Sequence, residues 1–167
     1  MFELAILTVL PGAVAFAAAM DLFTMTIPNR IAAVMVVAFF PLAALAGLGF
    51  SDMAWHVAAG LLMLGIGILL FIPGWFGGGD AKLMAAIALW VGFESLFPYV
   101  LYVALTGGFI ASAFAAVRAV PLPRIFLGQP WALRLHRHEA GIPYGLALAA
   151  GALLVYPQTI WFSSVAH

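Results

Sequence analysis

The stretch AWHVAAGLLMLGIGILLFI (residues 54–72), followed directly by PGWFGGGDAK (residues 73–82), decides the fold class of this protein. The first part contains no Lys, Arg, Asp or Glu, and its length is close to the roughly 20 residues that an α-helix needs to cross a bilayer. The whole chain of 167 residues is 66% hydrophobic and 7% charged, whereas soluble domains carry about 25% charged residues. The mean hydropathy is +1.19. The sequence therefore predicts an integral membrane protein.

Further apolar stretches of similar length are separated by clusters of charged or turn-forming residues. The first one lacks the basic residues that precede the apolar run of a signal peptide, so we interpret it as a span. We predict an all-α, polytopic membrane protein with about six transmembrane helices in one bundle, and a single integral-membrane domain over residues 1–167. The predicted spans are residues 2–20, 31–49, 54–72, 80–97, 98–117 and 142–162.

The basic residues predict the orientation of the chain in the membrane. All of them lie in or beside the odd-numbered connections between the predicted spans, and positively charged connections usually face the cytoplasm. Both termini are therefore expected on the outer side, and Asp21 and Asp80 are expected near the same cytoplasmic face. The basic residues are Arg30, Lys82, Arg118, Arg124, Arg134 and Arg137.

Composition also excludes several functions. The formal net charge is zero, which gives no general attraction to nucleic acid, so the lipid bilayer is an expected partner and nucleic acid is not. The absence of cysteine excludes disulfides, thiolate catalysis and cysteine-ligated zinc. His136, His138 and Glu139 lie together in a basic connection, where such residues are usually solvated. Neither a metal nor another cofactor is expected.

Asp21 and Asp80 are the acidic residues whose surroundings suggest a function. A carboxylate within the hydrocarbon costs about 2.5–3.5 kcal/mol, so an acid at such a place is a candidate functional residue. Asp21 follows an apolar span directly, and Asp80 opens a helix after three glycines, Gly77, Gly78 and Gly79. Glycines of this kind let another backbone approach closely. Two interpretations remain open: a site of paired acids, or a glycine hinge with an aspartate at the helix start.

Two aspartates that face each other suit the hydrolysis of a peptide bond by an activated water. One carboxylate must be ionised to accept a proton from water, while the other stays protonated to bind the scissile carbonyl group. Asp21 lies toward the C-terminal end of its helix, where the helix dipole disfavours negative charge, whereas Asp80 lies at an N-terminal end. The helix ends therefore predict that Asp21 holds the shared proton.

Three motifs carry a resemblance to a known family. GGGDAKL (77–83) is similar to the Gly-x-Gly-Asp-x-Lys-Leu motif of type IV prepilin peptidases, and Asp21 followed by IPN (27–29) resembles the first aspartate motif of that family. IPYGLALAAGALL (142–154) is similar to the last span of the short members that serve Flp/Tad-type pili. The resemblance implies a membrane aspartic endopeptidase with Asp21 and Asp80 as catalytic residues. The residues implied at the substrate-binding loops are Gly77, Gly78, Gly79, Lys82, Pro143, Tyr144 and Gly145.

The resemblance also implies a substrate and a location. Such enzymes remove the short basic leader of prepilins or pseudopilins at the cytoplasmic face of the bacterial inner membrane, so the implied localisation is a multi-pass inner-membrane protein with periplasmic termini. The machinery that assembles the pilus or secretion system is a further candidate partner. Larger members carry an additional cysteine-containing domain and N-methyltransferase activity. This sequence has neither the length nor the cysteines, and peptidase activity alone is expected.

Two other functions remain as alternatives. One is a small proton-coupled transporter or channel, in which Asp21 and Asp80 form a proton relay or an ion site in a broken helix. The other is a non-catalytic scaffold of a secretion system, in which both acids only end helices. A transporter predicts flux that depends on the acids without peptide cleavage, and a scaffold predicts that both acids tolerate replacement by asparagine.

Overall fold

A computed structural model describes residues 2–137 and 141–163 of the chain. Throughout this part the chain forms α-helices and short 3-10 turns, and these residues contain no β-strand. The helices are α1 (Phe2–Thr24), α2 (Asn29–Leu45), α3 (Phe50–Phe71), α4 (Gly78–Val91), α5 (Leu96–Arg118), α6 (Pro130–His136), α7 (Gly145–Val155) and α8 (Ile160–Ser163). The 3-10 turns are Arg124–Phe126 and Tyr156–Gln158.

Several of these helices are long and apolar enough to cross a bilayer. These helices are α1 over Leu7–Thr24, α3 and α5. Two further apolar helical segments, Asn29–Leu45 and Gly145–Gln158, are shorter. The prediction of an all-α, multi-pass membrane protein is therefore confirmed. The number of crossings, about six, stays a prediction, because the remaining helices are shorter than a standard span.

Helix α4 lies at the centre of the molecule. Most of its side chains are buried, and it packs against α2, α3 and α7. At about 1.5 Å per residue, its 14 residues extend about 21 Å, which is less than the roughly 30 Å of a hydrocarbon core. Helices α2, α3 and α7 therefore surround α4, and α1 and α5 pack mainly against α7.

The fourth predicted span, 80–97, is too long at its C-terminal end. Helix α4 ends at Gly92, whose φ of +71° is a conformation that residues with a side chain rarely adopt. Helix α5 then begins at Leu96, two residues before the predicted start at 98. Pro98 is compatible with this start because the first turn of a helix needs no intrahelical N–H donor.

The sixth predicted span, 142–162, is interrupted. Helix α7 ends at Val155, a 3-10 turn containing Pro157 follows, and α8 starts at Ile160. Proline has no N–H group and cannot continue the helical ladder. The hydroxyl of Thr159 donates to the carbonyl oxygen of Tyr156 over 2.7 Å and closes this turn.

Buried aromatic side chains hold the helices together at the end of the bundle to which α8 belongs. The indole N–H of Trp90 donates to the carbonyl oxygen of Met35 over 3.0 Å, and that of Trp161 donates to the carbonyl oxygen of Trp90. The rings of Phe39 and His56 lie against Trp161, with centroids 5.7 and 6.3 Å away. Residues of α2, α3, α4 and α8 are thereby fixed relative to one another, at the end opposite to the start of α4.

The long connection 118–141 contains α6 (Pro130–His136). Arg118 donates to the carbonyl oxygens of Leu135 and Gly141 over 2.8 and 2.9 Å, and Arg134 donates to that of Phe23 over 3.3 Å. These bonds attach the connection to the ends of α1 and α5. Residues 138–140, which include two of the residues considered as metal ligands, His138 and Glu139, lie outside the described part of the chain.

Candidate active site

Asp21 lies one turn before the C-terminal end of α1. The predicted span ended at residue 20, but α1 continues to Thr24, so Asp21 is inside the helix rather than after it. Its side chain is 6% exposed, and its Oδ2 accepts the backbone N–H of Gly145 over 2.7 Å. The start of α7 therefore supplies a hydrogen-bond donor to the first candidate acid.

Gly145 has to be glycine for this contact to form. A Cβ atom at this position would lie 2.9 Å from both Cβ and Oδ2 of Asp21, and 3.0 Å from Cδ1 of Ile27. These distances are too short for carbon atoms in contact. The absence of a side chain at the predicted site residue Gly145 thus lets α7 approach Asp21 closely enough for the hydrogen bond from its N–H group.

Asp80 lies in the first turn of α4. The backbone N–H of Gly77 donates to its carboxylate, and a Cβ at Gly77 would lie 2.6 Å from Oδ2 of Asp80. The other oxygen, Oδ1, is buried and has no hydrogen-bond partner among the described residues. Gly77 thus has the same relation to Asp80 that Gly145 has to Asp21.

The remaining glycines allow two segments to lie in contact. A Cβ at Gly79 would come within 3.1 Å of Cβ and 3.2 Å of the carbonyl oxygen of Ile27, whereas a Cβ at Gly78 would make only ordinary contact with Phe71, at 3.5 Å. Because Gly79 has no side chain, the 25–28 connection after α1 lies directly against the start of α4. This contact brings the ends of α1 and α4 together.

Asp21 and Asp80 line the same cavity, which has a volume of about 510 Å³. Of the two interpretations of the acids, this arrangement favours a site of paired acids, because a simple hinge would not require Asp21. The cavity is formed by the end of α1, the connection to α2 and the start of α4. We call Gly77, Gly78 and Gly79 at this start the glycine loop. The lining residues of the cavity are Asp21, Met25, Thr26, Ile27, Pro28, Asn29, Gly77, Gly78, Gly79, Asp80 and Lys82.

Lys82 binds an amide rather than either carboxylate. Its Nζ donates to Oδ1 of Asn29 over 2.9 Å, and both residues line the cavity. Asn29 was not among the site residues predicted from the sequence, although its position in the IPN motif was a signal that it belongs with Asp21. Met25 and Thr26, which also line the cavity, carried no such signal.

Pro143 and Tyr144 are not among the residues that line the cavity. Pro143 is buried, and the ring of Tyr144 packs edge-on against Phe76 with centroids 5.2 Å apart. Phe76 precedes the glycine loop directly. Gly145 does not line the cavity either, but its backbone N–H reaches the candidate acid Asp21.

The acids at the opposite end of the bundle have a different setting. Asp52 lies in the first turn of α3, not in the preceding turn, and its Oδ2 accepts the N–H of Gly49 over 3.2 Å. Glu94 lies in the turn between α4 and α5. Asp52 therefore caps the start of α3, and its carboxylate provides a control for the candidate site.

The comparisons with known proteins agree with the motifs. Residues 8–112 match the type IV leader peptidase family, a segment that includes Asp21 and the glycine loop. The prepilin leader peptidase/N-methyltransferase of Bacillus subtilis (strain 168) is 32% identical over an alignment of 141 residues that covers 81% of this chain and 48% of that protein. The chain thus spans about half the length of this curated relative. No solved structure matches the chain significantly. The chain belongs to the type IV leader peptidase family, as the three motifs predicted.

Proposed function

We propose that this chain is a membrane-embedded aspartic endopeptidase that removes the leader of type IV prepilins or pseudopilins. The observation that carries the proposal is the cavity shared by Asp21 and Asp80. Membership of the type IV leader peptidase family supports the reaction class. The name of the Bacillus subtilis relative, a prepilin leader peptidase, supports the substrate.

In the proposed reaction, one carboxylate accepts a proton from a water molecule while the other donates a hydrogen bond to the oxygen of the scissile carbonyl. The water oxygen attacks the carbonyl carbon and forms a tetrahedral intermediate. The leaving nitrogen takes up a proton as the C–N bond breaks, so the products are a carboxyl group and an amine. Two neighbouring carboxyl groups that share a proton supply both functions without a metal ion or another cofactor.

We assign the resting proton to Asp80, opposite to the prediction from the helix ends. An ionised carboxylate oxygen that is buried without a donor is costly, and Oδ1 of Asp80 is such an atom among the described residues. Both acids accept one backbone N–H at the start of a helix, Asp80 from Gly77 and Asp21 from Gly145, where the helix dipole favours negative charge, so the unpartnered Oδ1 of Asp80 decides the assignment. The contact with Gly145 offsets the unfavourable position of Asp21 near the C-terminal end of α1.

The glycine loop suits the binding of an extended peptide. Gly77, Gly78 and Gly79 contribute only backbone to the cavity wall, so a substrate strand has room beside Asp80. Backbone N–H and C=O groups of the strand are then within reach of the acids. Glycine at these positions would serve the substrate as well as the contact between α1 and α4.

We further propose that the cavity faces the cytoplasm across a bacterial inner membrane, with both termini on the periplasmic side. The basic residues Lys82, Arg118 and Arg134 lie at the ends of helices on the side where the cavity opens, which supports this orientation. Pilus or secretion assembly proteins are proposed partners. Peptidase activity without N-methylation is proposed because this sequence contains no cysteine, and mass spectrometry of the mature N-terminus of a processed prepilin would test it.

The test is cleavage of a prepilin in membranes that contain the wild-type chain, Asp21→Asn or Asp80→Asn. Asparagine keeps the shape of the side chain but cannot accept a proton from water. Each single variant is expected to lose at least a thousandfold in rate while staying folded, because both carboxyl groups are needed for the proton transfers. The matched control is Asp52→Asn, which removes a carboxylate from the opposite end of the bundle and should cut at the wild-type rate.

The same variants separate the alternatives. Cleavage that persists in both Asp21→Asn and Asp80→Asn would refute an aspartic mechanism. A wild-type chain that neither cuts the prepilin nor conducts protons, with pilus assembly unaffected by both replacements, would leave a scaffold. Acid-dependent proton flux into vesicles without any cleavage would establish the transporter. Loss of cleavage in either variant, with Asp52→Asn active, would support the peptidase.

A further inference from the structure

A second cavity, of about 590 Å³, lies between α2 and α3 on the surface of α4. Both α2 and α3 pack on α4, so α4 forms the floor and the two other helices form the walls. We call this cavity the α2–α3 groove. The side chains that form its walls are Val36, Val37 and Phe40 on α2, and Val57, Leu61 and Leu64 on α3.

The groove is continuous with the candidate catalytic cavity. Asn29 and Lys82 line both of them, so one end of the groove opens where the two acids lie. From Asn29 the groove follows α2 as far as Phe40. At about 1.5 Å per residue this is about 16 Å, and the groove therefore extends from the catalytic cavity well into the depth of the bilayer.

The chemistry of the groove suits an apolar occupant. Lys82 and Asn29, both at the catalytic end, are the polar side chains among its lining residues. Val37 and Leu61 on the two walls are 71% and 63% exposed, and in a membrane these surfaces face lipid rather than water. A charged or extended polar peptide would lose its hydration there without any compensating partner.

The floor and lower walls of the groove suit a helix in particular. Ala32 and Ala33 on α2 and Ala85 and Ala86 on α4 line it, and small residues let a neighbouring helix approach closely. A polypeptide inside hydrocarbon must also satisfy its own backbone hydrogen bonds, which a helix does. A lipid acyl chain does not need small residues beneath it, so this feature of the groove favours a helix over lipid.

We propose that the α2–α3 groove binds an apolar helix of the substrate, about three turns long, that lies directly next to the peptide bond cut in the catalytic cavity. This inference rests on the proposed peptidase function. The helix enters sideways from the lipid, packs on Ala85 and Ala86, and ends near Asn29 and Lys82. Beyond that point the substrate continues as an extended strand along the glycine loop.

Cross-linking tests the position of the occupant. Because the chain has no cysteine, single cysteines can be introduced by Val37→Cys in the groove and by Phe109→Cys as a control on α5, where the side chain is 75% exposed. Both are combined with Asp80→Asn to keep the substrate uncut. The probe is a prepilin leader and cleavage site fused to a leucine-rich helix of about 20 residues, with one cysteine in its second turn.

The disulfide yield is expected to be at least tenfold higher for Val37→Cys than for Phe109→Cys. Equal yields at the two positions would overturn the proposal. Disulfide-linked dimers of the enzyme through Val37→Cys that the probe does not displace would assign the groove to a second copy. Labelling at Val37→Cys by a thiol-reactive phospholipid, undiminished by the probe, would assign it to lipid; either result also overturns the proposal.

Kinetics test the contribution of the groove to catalysis. Ala85→Phe fills the floor, and Ala104→Phe adds the same ring to an exposed position of α5 as a matched control. Each is measured with the helix-bearing probe and with a short peptide that ends about four residues after the cleavage site. We expect Ala85→Phe to raise KM for the helix-bearing probe at least tenfold, with kcat and the short-peptide rate unchanged.

The two failures are distinguishable. If both probes are cut even by Asp21→Asn and Asp80→Asn, the proposed peptidase mechanism itself is wrong. If cleavage depends on both acids but Ala85→Phe has the wild-type KM and kcat for both probes, the mechanism stands and the groove is not the helix-binding site.

Discussion

Replacement of Gly145 by alanine tests the link between α7 and Asp21. The added Cβ would lie 2.9 Å from Cβ and Oδ2 of Asp21 and 3.0 Å from Ile27, so α7 must move away from α1 by several tenths of an ångström or more. That movement lengthens the 2.7 Å hydrogen bond from the N–H of Gly145 to Oδ2 of Asp21. Overpacking destabilises the fold, and the loss of a hydrogen-bond donor to the candidate catalytic acid Asp21 should slow the proposed reaction.

The expected magnitude follows from these two effects. Overpacking in a closely packed interior costs about 1–3 kcal/mol of stability, and a hydrogen bond to a charged group contributes about 1.5–3 kcal/mol. If the second amount is lost from the transition state, kcat/KM falls by about 10- to 150-fold, since each 1.4 kcal/mol is a factor of ten. The measurement is cleavage of a prepilin by purified enzyme, normalised to the folded fraction.

Two other glycines separate the effect on catalysis from the effect on stability. A Cβ at Gly151 would lie 2.5 Å from Cγ2 of Val103, and a Cβ at Gly108 would meet nothing within 4 Å. Gly151→Ala should therefore lower the unfolding temperature while the folded enzyme keeps its kcat, and Gly108→Ala should change neither. A Gly145→Ala enzyme that loses activity only in proportion to its folded fraction, as Gly151→Ala does, would refute the reasoning.

Three further predictions concern the rest of the structure. Gly79→Ala should lower kcat/KM for prepilin cleavage about tenfold, because overpacking of about 1–3 kcal/mol separates the end of α1 from the start of α4. The control is Gly65→Ala on α3, where a Cβ would meet nothing within 4 Å. It should match the wild type in the same cleavage assay. Lys82→Met and Asn29→Ala should each cost about 1 kcal/mol of activity through their shared hydrogen bond, and the double variant should be no worse than either one; additive losses would show independent roles. Trp161→Phe removes a buried donor and should lower the free energy of unfolding by about 1–3 kcal/mol, seen as a lower unfolding temperature, with unchanged kcat per folded molecule; a loss of kcat would contradict the separation of the two ends of the bundle.

The helix boundaries show how far sequence patterns reach. The apolar run at 54–72 predicts α3 (Phe50–Phe71) to within a few residues, because a change from apolar to polar residues marks where a helix leaves the membrane. The fourth and sixth predicted spans end earlier than hydropathy suggests, at Gly92 and at Pro157. Hydropathy reports burial in lipid or protein alike, so it does not register a turn made of apolar residues.

The residues around the two acids show a similar limit of prediction from sequence patterns. The motif around Asp80 and the IPN segment are recognisable in the sequence, and the structure brings Asp21 and Asp80 to one cavity. The motif around Gly145 is recognisable too, but no sequence pattern distinguishes Gly145 from Pro143 and Tyr144. That choice depends on which backbone atom of the α7 start meets Asp21, and this is a matter of helix packing.

The sequence by itself determined the class of the protein and its family, and it identified the candidate pair of acids, because composition, span length and short motifs are local properties of the chain. Only the tertiary structure decided which groups surround those acids. The dipole of α1 alone disfavours an ionised Asp21, yet the start of α7, 124 residues further along the chain, delivers an N–H group to it. A donor so distant in sequence leaves no local pattern, so our proposed assignment of the proton rests on the packing around the two acids.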